Sequence, residues 1–287
     1  MKKIIGKLYS VFLKVLPKKY HDKYIQLTIK ILKHTNLLLF AYNTMGILKI
    51  ENESGELNVI DKILPKIIIN EKEPVLFDIG ANIGSYTLML KKKYPIAKIY
   101  SFEPNPYTFK KLKENLIDTK IETFNWGFGN KNQKENIYVY KNDTISGHAS
   151  LYNEFAKVIS TELGKQEVIP IEIEIKTIDG FCNEKNINNI DFIKIDVEGH
   201  EFAVLQGAKN MIDQNKIKII QFEFNVANIL SRIFLKDFYD LIKENFEFYR
   251  LDTDRLIYLG DYDSTNEIFK FQNILAINKT IINEPIY

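Results

Sequence analysis

The chain has 287 residues, 45% of them hydrophobic and 26% charged. These are the proportions of an ordinary globular protein, and they exclude wholesale disorder, collagen-like repeats and a multispan membrane protein. One cysteine, Cys182, excludes an internal disulfide and a cysteine-rich zinc site, and four histidines scattered at 21, 34, 148 and 200 do not compose a histidine cage. The formal net charge of +2 hides an asymmetry. Residues 1–50 carry ten lysines against the single acid Asp22, a net of +9, which leaves −7 for the remainder. Three arginines among 39 basic residues argue against sequence-specific nucleic-acid reading, because arginine is the residue that forks guanine edges and phosphates.

The stretch from Met1 to Leu16 sets Ile4, Leu8, Val11, Phe12 and Val15 at helical spacing, with Lys2, Lys3, Lys7 and Lys14 interleaved. The lysines break the apolar run, and no small-residue cleavage site precedes Pro17, so a signal peptide is not expected. The stretch is also too short to span a bilayer. A second apolar segment, Tyr24 to Tyr42, is interrupted by charge in the same way. Residues 1–70 therefore read as a basic helical extension. Two roles stay open for it: helices packed on the main domain, or a basic interfacial helix that touches anionic membrane through residues 1–35. The second would place the protein in the cytoplasm, peripheral at the inner face of the membrane.

Residues 71–287 read as one domain of alternating strands and helices. Pro74 to Asp78 is a short buried-strand pattern, Ser85 to Lys93 a helix stopped by Pro95, and Lys98 to Phe102 a second strand. Pro106 to Asn115 is a helix with proline in its first turn, and Ile121 to Asn125 a third strand. Alternating apolar and polar residues at Asn136–Tyr140 and Glu172–Ile178 predict an inserted antiparallel hairpin. Asp191–Asp196 and Ile217–Phe224 are further buried strands. A helix over Leu235–Asn245 and strands at Phe248–Leu251 and Ile274–Asn278 complete the domain. Alternation of this kind predicts an α/β, doubly wound sheet covered on both faces.

The strongest local feature is Asp78-Ile-Gly80-Ala-Asn82-Ile-Gly84, between a strand and a helix. Glycines there let the backbone turn sharply beside a ligand, at the carboxyl end of a strand where open α/β sheets bind. Asp78 precedes the turn, where it would repel a pyrophosphate but welcome an ammonium or sulfonium. Glu103 ends the next strand, where an acid can accept both ribose hydroxyls. The G-x-G-x-x-G spacing of dinucleotide enzymes is absent. S-adenosylmethionine therefore fits better than NAD.

These runs, with Phe102-Glu-Pro-Asn-Pro106, Lys194-Ile-Asp-Val-Glu-Gly-His-Glu201, Ser146-Gly-His-Ala-Ser-Leu151 and Leu205-Gln-Gly-Ala208, together resemble the FkbM family of S-adenosylmethionine-dependent methyltransferases over about Val75 to Lys279. The resemblance implies a class I methyltransferase with a Rossmann-like, seven-stranded mixed sheet. It implies cofactor binding by Asp78, Gly80, Asn82, Gly84, Glu103, Asn105 and Asp196, with Trp126 in the segment that meets adenine. It also implies O-methylation of a hydroxyl, commonly on a sugar, glycan or glycolipid.

Asp196, Glu198, His200 and Glu201 cluster just past the fourth parallel strand. His200 reads either as a cap of the following helix or as a general base, since an unperturbed imidazole titrates near pH ~6.5. Asp196 and Glu223, both at strand ends, complete the candidate catalytic set. Asp196 and Glu198 as hard-cation ligands is a third reading, but strand-end carboxylates alone are insufficient for it, and no metal is expected. The expected acceptor is a carbohydrate or lipid-linked glycan. RNA methylation and a non-catalytic S-adenosylmethionine-binding module are the alternatives. The first is disfavoured by the arginine-free arm, the second by intact Asp78, Gly80, Gly84 and Glu103.

Overall fold

The computed structural model describes residues 37–47, 54–141, 144, 150–153 and 167–282. The basic stretch expected to meet membrane at residues 1–35 lies outside the described residues, as does most of the Ser146–Leu151 motif. The chain divides into two compact units, Met1–Met45 and Gly46–Tyr287. In the first, Leu37–Thr44 forms a helix. Among the described residues no helix is long and apolar enough to cross a membrane.

The second unit is built on an eight-stranded sheet. Its strands are β1 (Val75–Ile79), β2 (Lys98–Phe102), β3 (Glu122–Phe124), β7 (Ile190–Ile195), β8 (Ile217–Phe224), β9 (Phe246–Leu251), β10 (Leu256–Tyr258) and β11 (Gln272–Asn278). Their spatial order is β10-β9-β11-β8-β7-β1-β2-β3. β3, β2, β1, β7 and β8 run parallel, whereas β11 slots antiparallel between β8 and β9. The expected seven-stranded mixed sheet is thus present, with the three-residue β10 added at one edge. The expected hairpin is also there. β5 (Gln133–Tyr140) pairs antiparallel with β6 (Val168–Lys176), and the short β4 (Gly127–Phe128) joins β6 to make a second, three-stranded sheet.

Strand alternation divides the core in two. Phe77, Ile79, Ile193, Ile195, Ile220 and Phe222 face one side, with Phe181, Val204, Leu205 and Phe238. Leu76, Ile99, Phe192, Ile219, Leu275 and Ile277 face the other. There they pack on Leu90 of the helix Ser85–Lys93 and on Val59, Ile60, Ile63 and Leu64 of a helical stretch over residues 56–67. β7 is buried at all six positions, as a central parallel strand must be when both faces are covered. The second face also carries a polar row. Asp78 pairs in register with Lys194, and Lys194 with Gln221. The chain turns away in opposite directions from β1 and β7, and that switch point, at the carboxyl ends of the strands, positions the site.

Candidate active site

The turn after β1 is folded by backbone contacts. Gly80 and Ala81 N–H both donate to the Phe102 carbonyl at 2.9 Å, and Asp196 N–H donates to the Ile79 carbonyl at 2.9 Å. Gly80 has φ +79°, and a Cβ there would lie 1.8 Å from the Asp196 carbonyl oxygen. Glycine is therefore demanded by strand-to-strand approach inside the protein. At Gly84, φ is +90° and a Cβ would fall 2.7 Å from Leu112. Asn82 holds φ +49°, a conformation asparagine tolerates better than most residues.

Beside this turn stands Glu103. One carboxylate oxygen accepts from Asn82 N–H and the other from Asn105 N–H, each at 2.9 Å. Burial pushes the carboxyl up to about 7, against the pull of those two N–H groups. Each oxygen keeps one lone pair, so the group can still accept two further hydrogen bonds.

The opposite wall is the turn after β7. Glu198 and Gly199 both have positive φ, +52° and +100°. The Glu201 carboxylate closes the turn by accepting from Val197 N–H at 3.2 Å and Gly199 N–H at 3.1 Å. Burial raises Glu201 to about 7. The Ser150 hydroxyl donates to the Glu198 carbonyl at 3.1 Å and ties the inserted segment to the same turn. Lys194 Nζ lies 2.7 Å from Asp196 and 3.8 Å from Glu56. Burial disfavours the lysine's charge. Asp196, Glu56, Asp78 and Glu223 outweigh it and hold Lys194 well above the usual lysine range. His200 precedes the helix Glu201–Gln206 without capping it through its side chain. Burial lowers its imidazole to about 4, so it is neutral near pH 7 and keeps a lone pair for a proton.

These walls enclose about 680 Å³ of empty space, part of it open to solvent. Gly80, Asn82, Glu103, Asp196 and His200 all line it, as do Thr108 and Glu198. Ile137 of β5, Ile173 and Ile175 of β6, and Leu151 form an apolar side. The inserted sheet thus serves as a wall of the cavity.

Five expected site residues lie outside the lining. Asp78 is fully buried on the other face of β1, because Phe77 and Ile79 take the first face. One of its carboxylate oxygens accepts from the Thr87 hydroxyl at 2.5 Å, and that hydroxyl lies 2.9 Å from Ser101. Burial raises its carboxyl, with Lys194 opposing. It therefore anchors the helix after the turn. Gly84 packs against Leu112. Asn105 caps the helix Pro106–Asn115 by accepting from Tyr107 N–H at 3.1 Å, and its amide donates to the Thr144 carbonyl at 2.6 Å. Trp126 packs tilted against Phe102 and Phe124 and edge-to-face on Phe181, with Lys176 Nζ 3.9 Å from its ring centre. Glu223 takes a 3.2 Å bond from the Asn225 amide, and burial beside Asp196 and Glu198 lifts it well above the carboxylate range. Among the described residues no group of three or more His, Cys, Asp or Glu side chains is arranged to hold a metal ion.

Thr108, which lines the cavity, lies outside every motif run, and Lys194 opens the Lys194–Glu201 run without a role read for it there. Thr108 stands in the first turn of the helix Pro106–Asn115, five residues after Glu103, and that nearness to the strand-end acid is the signal that points to it.

The chain matches the methyltransferase FkbM domain over residues 78–244. It is similar to Methyltransferase 1 of Beauveria bassiana, 30% identical over 144 residues, 46% of this chain and 57% of that protein. It is 25% identical over 155 residues to the 2-O-methyltransferase NoeI of Sinorhizobium fredii, covering 52% and 63%. It is 28% identical over 180 residues to the hexuronic acid methyltransferase AglP of Haloferax volcanii, covering 62% and 66%. The matched segments thus span less than two thirds of each of these relatives' lengths.

Proposed function

Because the chain belongs to the FkbM methyltransferase family, we propose that it transfers a methyl group from S-adenosylmethionine to a hydroxyl of a sugar, glycan or glycolipid. The observation that carries the proposal is the meeting of Glu103, Asn82, Asp196 and His200 on one cavity at the switch point of the sheet. The donor set suits the cofactor. The Glu103 carboxylate, fixed by two N–H groups, presents two spare lone pairs to a vicinal diol. The side-chain oxygen of Asn82 is buried in the same wall with no hydrogen-bond partner in the protein.

Bound there, the cofactor supplies an electrophilic methyl on a sulfonium. The chain's own residues supply position and proton handling. Neutral His200 takes the proton of the acceptor hydroxyl, a contribution of about 10²–10⁴-fold for a well-placed base. Asp196, held by Lys194 at 2.7 Å, lines the same cavity, and Glu135 is the charged group that favours the imidazole's cationic form. Ile137, Leu151, Ile173 and Ile175 keep water from the reacting pair. Glu223 stands outside the lining, lifted well above the carboxylate range by burial beside Asp196 and Glu198, and accepts from the Asn225 amide. In this reading residues 71–287 hold the methyltransferase domain. The printed names of NoeI and AglP, a 2-O-methyltransferase and a hexuronic acid methyltransferase, support a sugar hydroxyl as acceptor.

Mass spectrometry of glycans and glycolipids from cells with and without the gene tests the proposal. The expected difference is loss of one methylene mass from a discrete glycan or glycolipid species. Unchanged glycans and glycolipids with a lost RNA methylation would overturn the acceptor class.

A further inference from the structure

The loop after β8 carries an apolar surface that takes no part in lining the cavity. Val226, Ile229 and Leu230 are 50%, 52% and 37% exposed, and Phe234 is 52% exposed. Around the short helix Ala227–Ser231 the first three fall at i, i+3 and i+4, so they share one side. Phe234 extends the surface to the half-buried Phe269, with ring centres 5.9 Å apart. A cluster of this kind marks an interaction surface, whereas apolar side chains exposed singly do not. Its charge is one-sided. Between Glu223 and Asp237 the sequence has no acid and two bases, Arg232 and Lys236. Arg232 and Lys270, the residue after Phe269, are exposed, and their side chains pair with no carboxylate among the described residues. The nearest acids are engaged. Asp237 accepts from Phe234 N–H at 2.7 Å, and Glu267 accepts from Leu235 and Lys236 N–H at 2.9 Å. Both sit at the start of the helix Leu235–Ile242, whose dipole offsets their charge. Asp240 pairs with Lys236. The loop also borders the site. A Cβ on Gly199 would lie 2.9 Å from that of Ala227, in the turn that brings Glu198 and His200 to the lining. The Tyr152 hydroxyl, next to the lining residue Leu151, hydrogen-bonds the Ser231 side chain.

We infer that residues 226–234 dock on an anionic lipid surface, with Ile229, Leu230 and Phe234 entering the boundary between headgroups and acyl chains and with Arg232 and Lys270 meeting lipid phosphates. An apolar face flanked by unpaired cations and clear of free carboxylates matches such a surface in both layers. The acyl boundary takes the side chains, and the anionic headgroups take the cations. A free sugar needs neither. The inference deepens the acceptor reading above and rests on it in one respect. Because the loop packs on the turn that carries Glu198 and His200, docking holds the cavity beside the bilayer. The acceptor hydroxyl then belongs to the headgroup of a membrane-anchored glycolipid, which is methylated without leaving its membrane.

The test is co-sedimentation of full-length protein with phosphatidylcholine vesicles, with and without phosphatidylglycerol, beside thermal unfolding and calorimetry with S-adenosylhomocysteine. Ile229→Ser, Leu230→Ser and Phe234→Ser combined should weaken binding to the anionic vesicles about tenfold or more. The unfolding temperature and the affinity for S-adenosylhomocysteine should stay at wild-type values, since the three side chains are exposed and lie outside the lining. Arg232→Asn tolerates the φ of +58° and should weaken anionic-vesicle binding about fivefold at low salt, with no effect at high salt. Wild-type vesicle binding by the triple variant overturns the inference and moves any membrane contact to another part of the chain. Failure of the wild type to bind anionic vesicles overturns it as well. A lowered unfolding temperature in the triple variant would then assign the surface to the protein's own packing. In the mass-spectrometric comparison above, the lost methyl should fall on a lipid-extractable species, and its loss from water-soluble glycans alone overturns the membrane-anchored acceptor. Vesicle binding without S-adenosylhomocysteine binding would instead bring down the cofactor reading and leave the docking surface standing.

Discussion

Replacing Glu103 by glutamine separates charge from shape at the centre of the site. In the free protein the carboxyl is lifted from 4.5 to about 7 by burial, a difference that corresponds to about 3 kcal/mol between its two protonation states. Its folded value exceeds its unfolded one. The stability it contributes is therefore fully present below about pH 4.5 and is lost as pH rises through about 7. Glu103→Gln removes that dependence. It also leaves one of two N–H groups, Asn82 or Asn105, without an acceptor, at about 1–3 kcal/mol. Glu103→Gln is thus expected to be the less stable protein near pH 5. The gap should close or reverse by about pH 8, because the wild type gives up about 3 kcal/mol over that interval. Glu201, also lifted to about 7, is common to both proteins and cancels in the difference. Binding adds a second reading. From about pH 6 to about pH 8 the ionised share of Glu103 rises from roughly a tenth to nine tenths, so wild-type affinity for S-adenosylhomocysteine should rise about ninefold. That of Glu103→Gln should stay flat. Urea unfolding and calorimetry across this pH range read both effects. A stability gap that does not change with pH, with parallel affinity profiles, would refute the assignment of the raised value to Glu103.

Asp78→Asn should act on stability more than on binding. The Thr87 contact at 2.5 Å and the in-register Lys194 are its surroundings, so urea unfolding is expected to show a loss of about 2–3 kcal/mol. The binding loss should stay smaller than that of Glu103→Gln, and the reverse ranking would return Asp78 to the cofactor. His200→Gln is expected to lower the methyl-transfer rate by about 10²–10⁴-fold with cofactor affinity nearly unchanged. Because the wild-type imidazole titrates at about 4, the rate profile should show no acid limb near pH ~6.5. For stability, this lowered value makes acidification costly, with the loss developing as pH falls from 6.5 towards 4, and His200→Gln should flatten that window.

Much of the fold was legible from local chemistry. The helix Ser85–Lys93 ends just before Pro95, and Pro106–Asn115 begins with proline behind an asparagine cap. Both follow from backbone rules that act within a few residues. Lys98–Phe102 and Ile217–Phe224 were legible as apolar runs because central parallel strands are buried on both faces. Glu103 and the glycine turn were legible as a pair because strand ends and turns recur at fixed spacing along the chain. The helix Ile178–Lys185 was not, since the alternation of β6 carries the expected strand on to Ile178, past the Thr177 cap that opens the helix. β10 was too short to signal itself.

Tertiary structure decided what the side chains face. The period of two in β1 sends Asp78 away from the cavity, but which face of the strand meets ligand depends on the layers that pack against the sheet. Glu56 and Lys194 meet only because residues 56–67 fold beneath the central strands, a contact with no periodic trace in the sequence. The wall of Ile137, Ile173 and Ile175 read as ordinary hairpin alternation, and only the docking of the second sheet over the turn after β7 makes it part of the site. Thr108 is a polar residue on a helix until its neighbours bury it with no partner for its hydroxyl. Motifs record chemistry between residues near in sequence. Burial and orphaned hydrogen bonds are set by residues far apart, which meet only when the layers close.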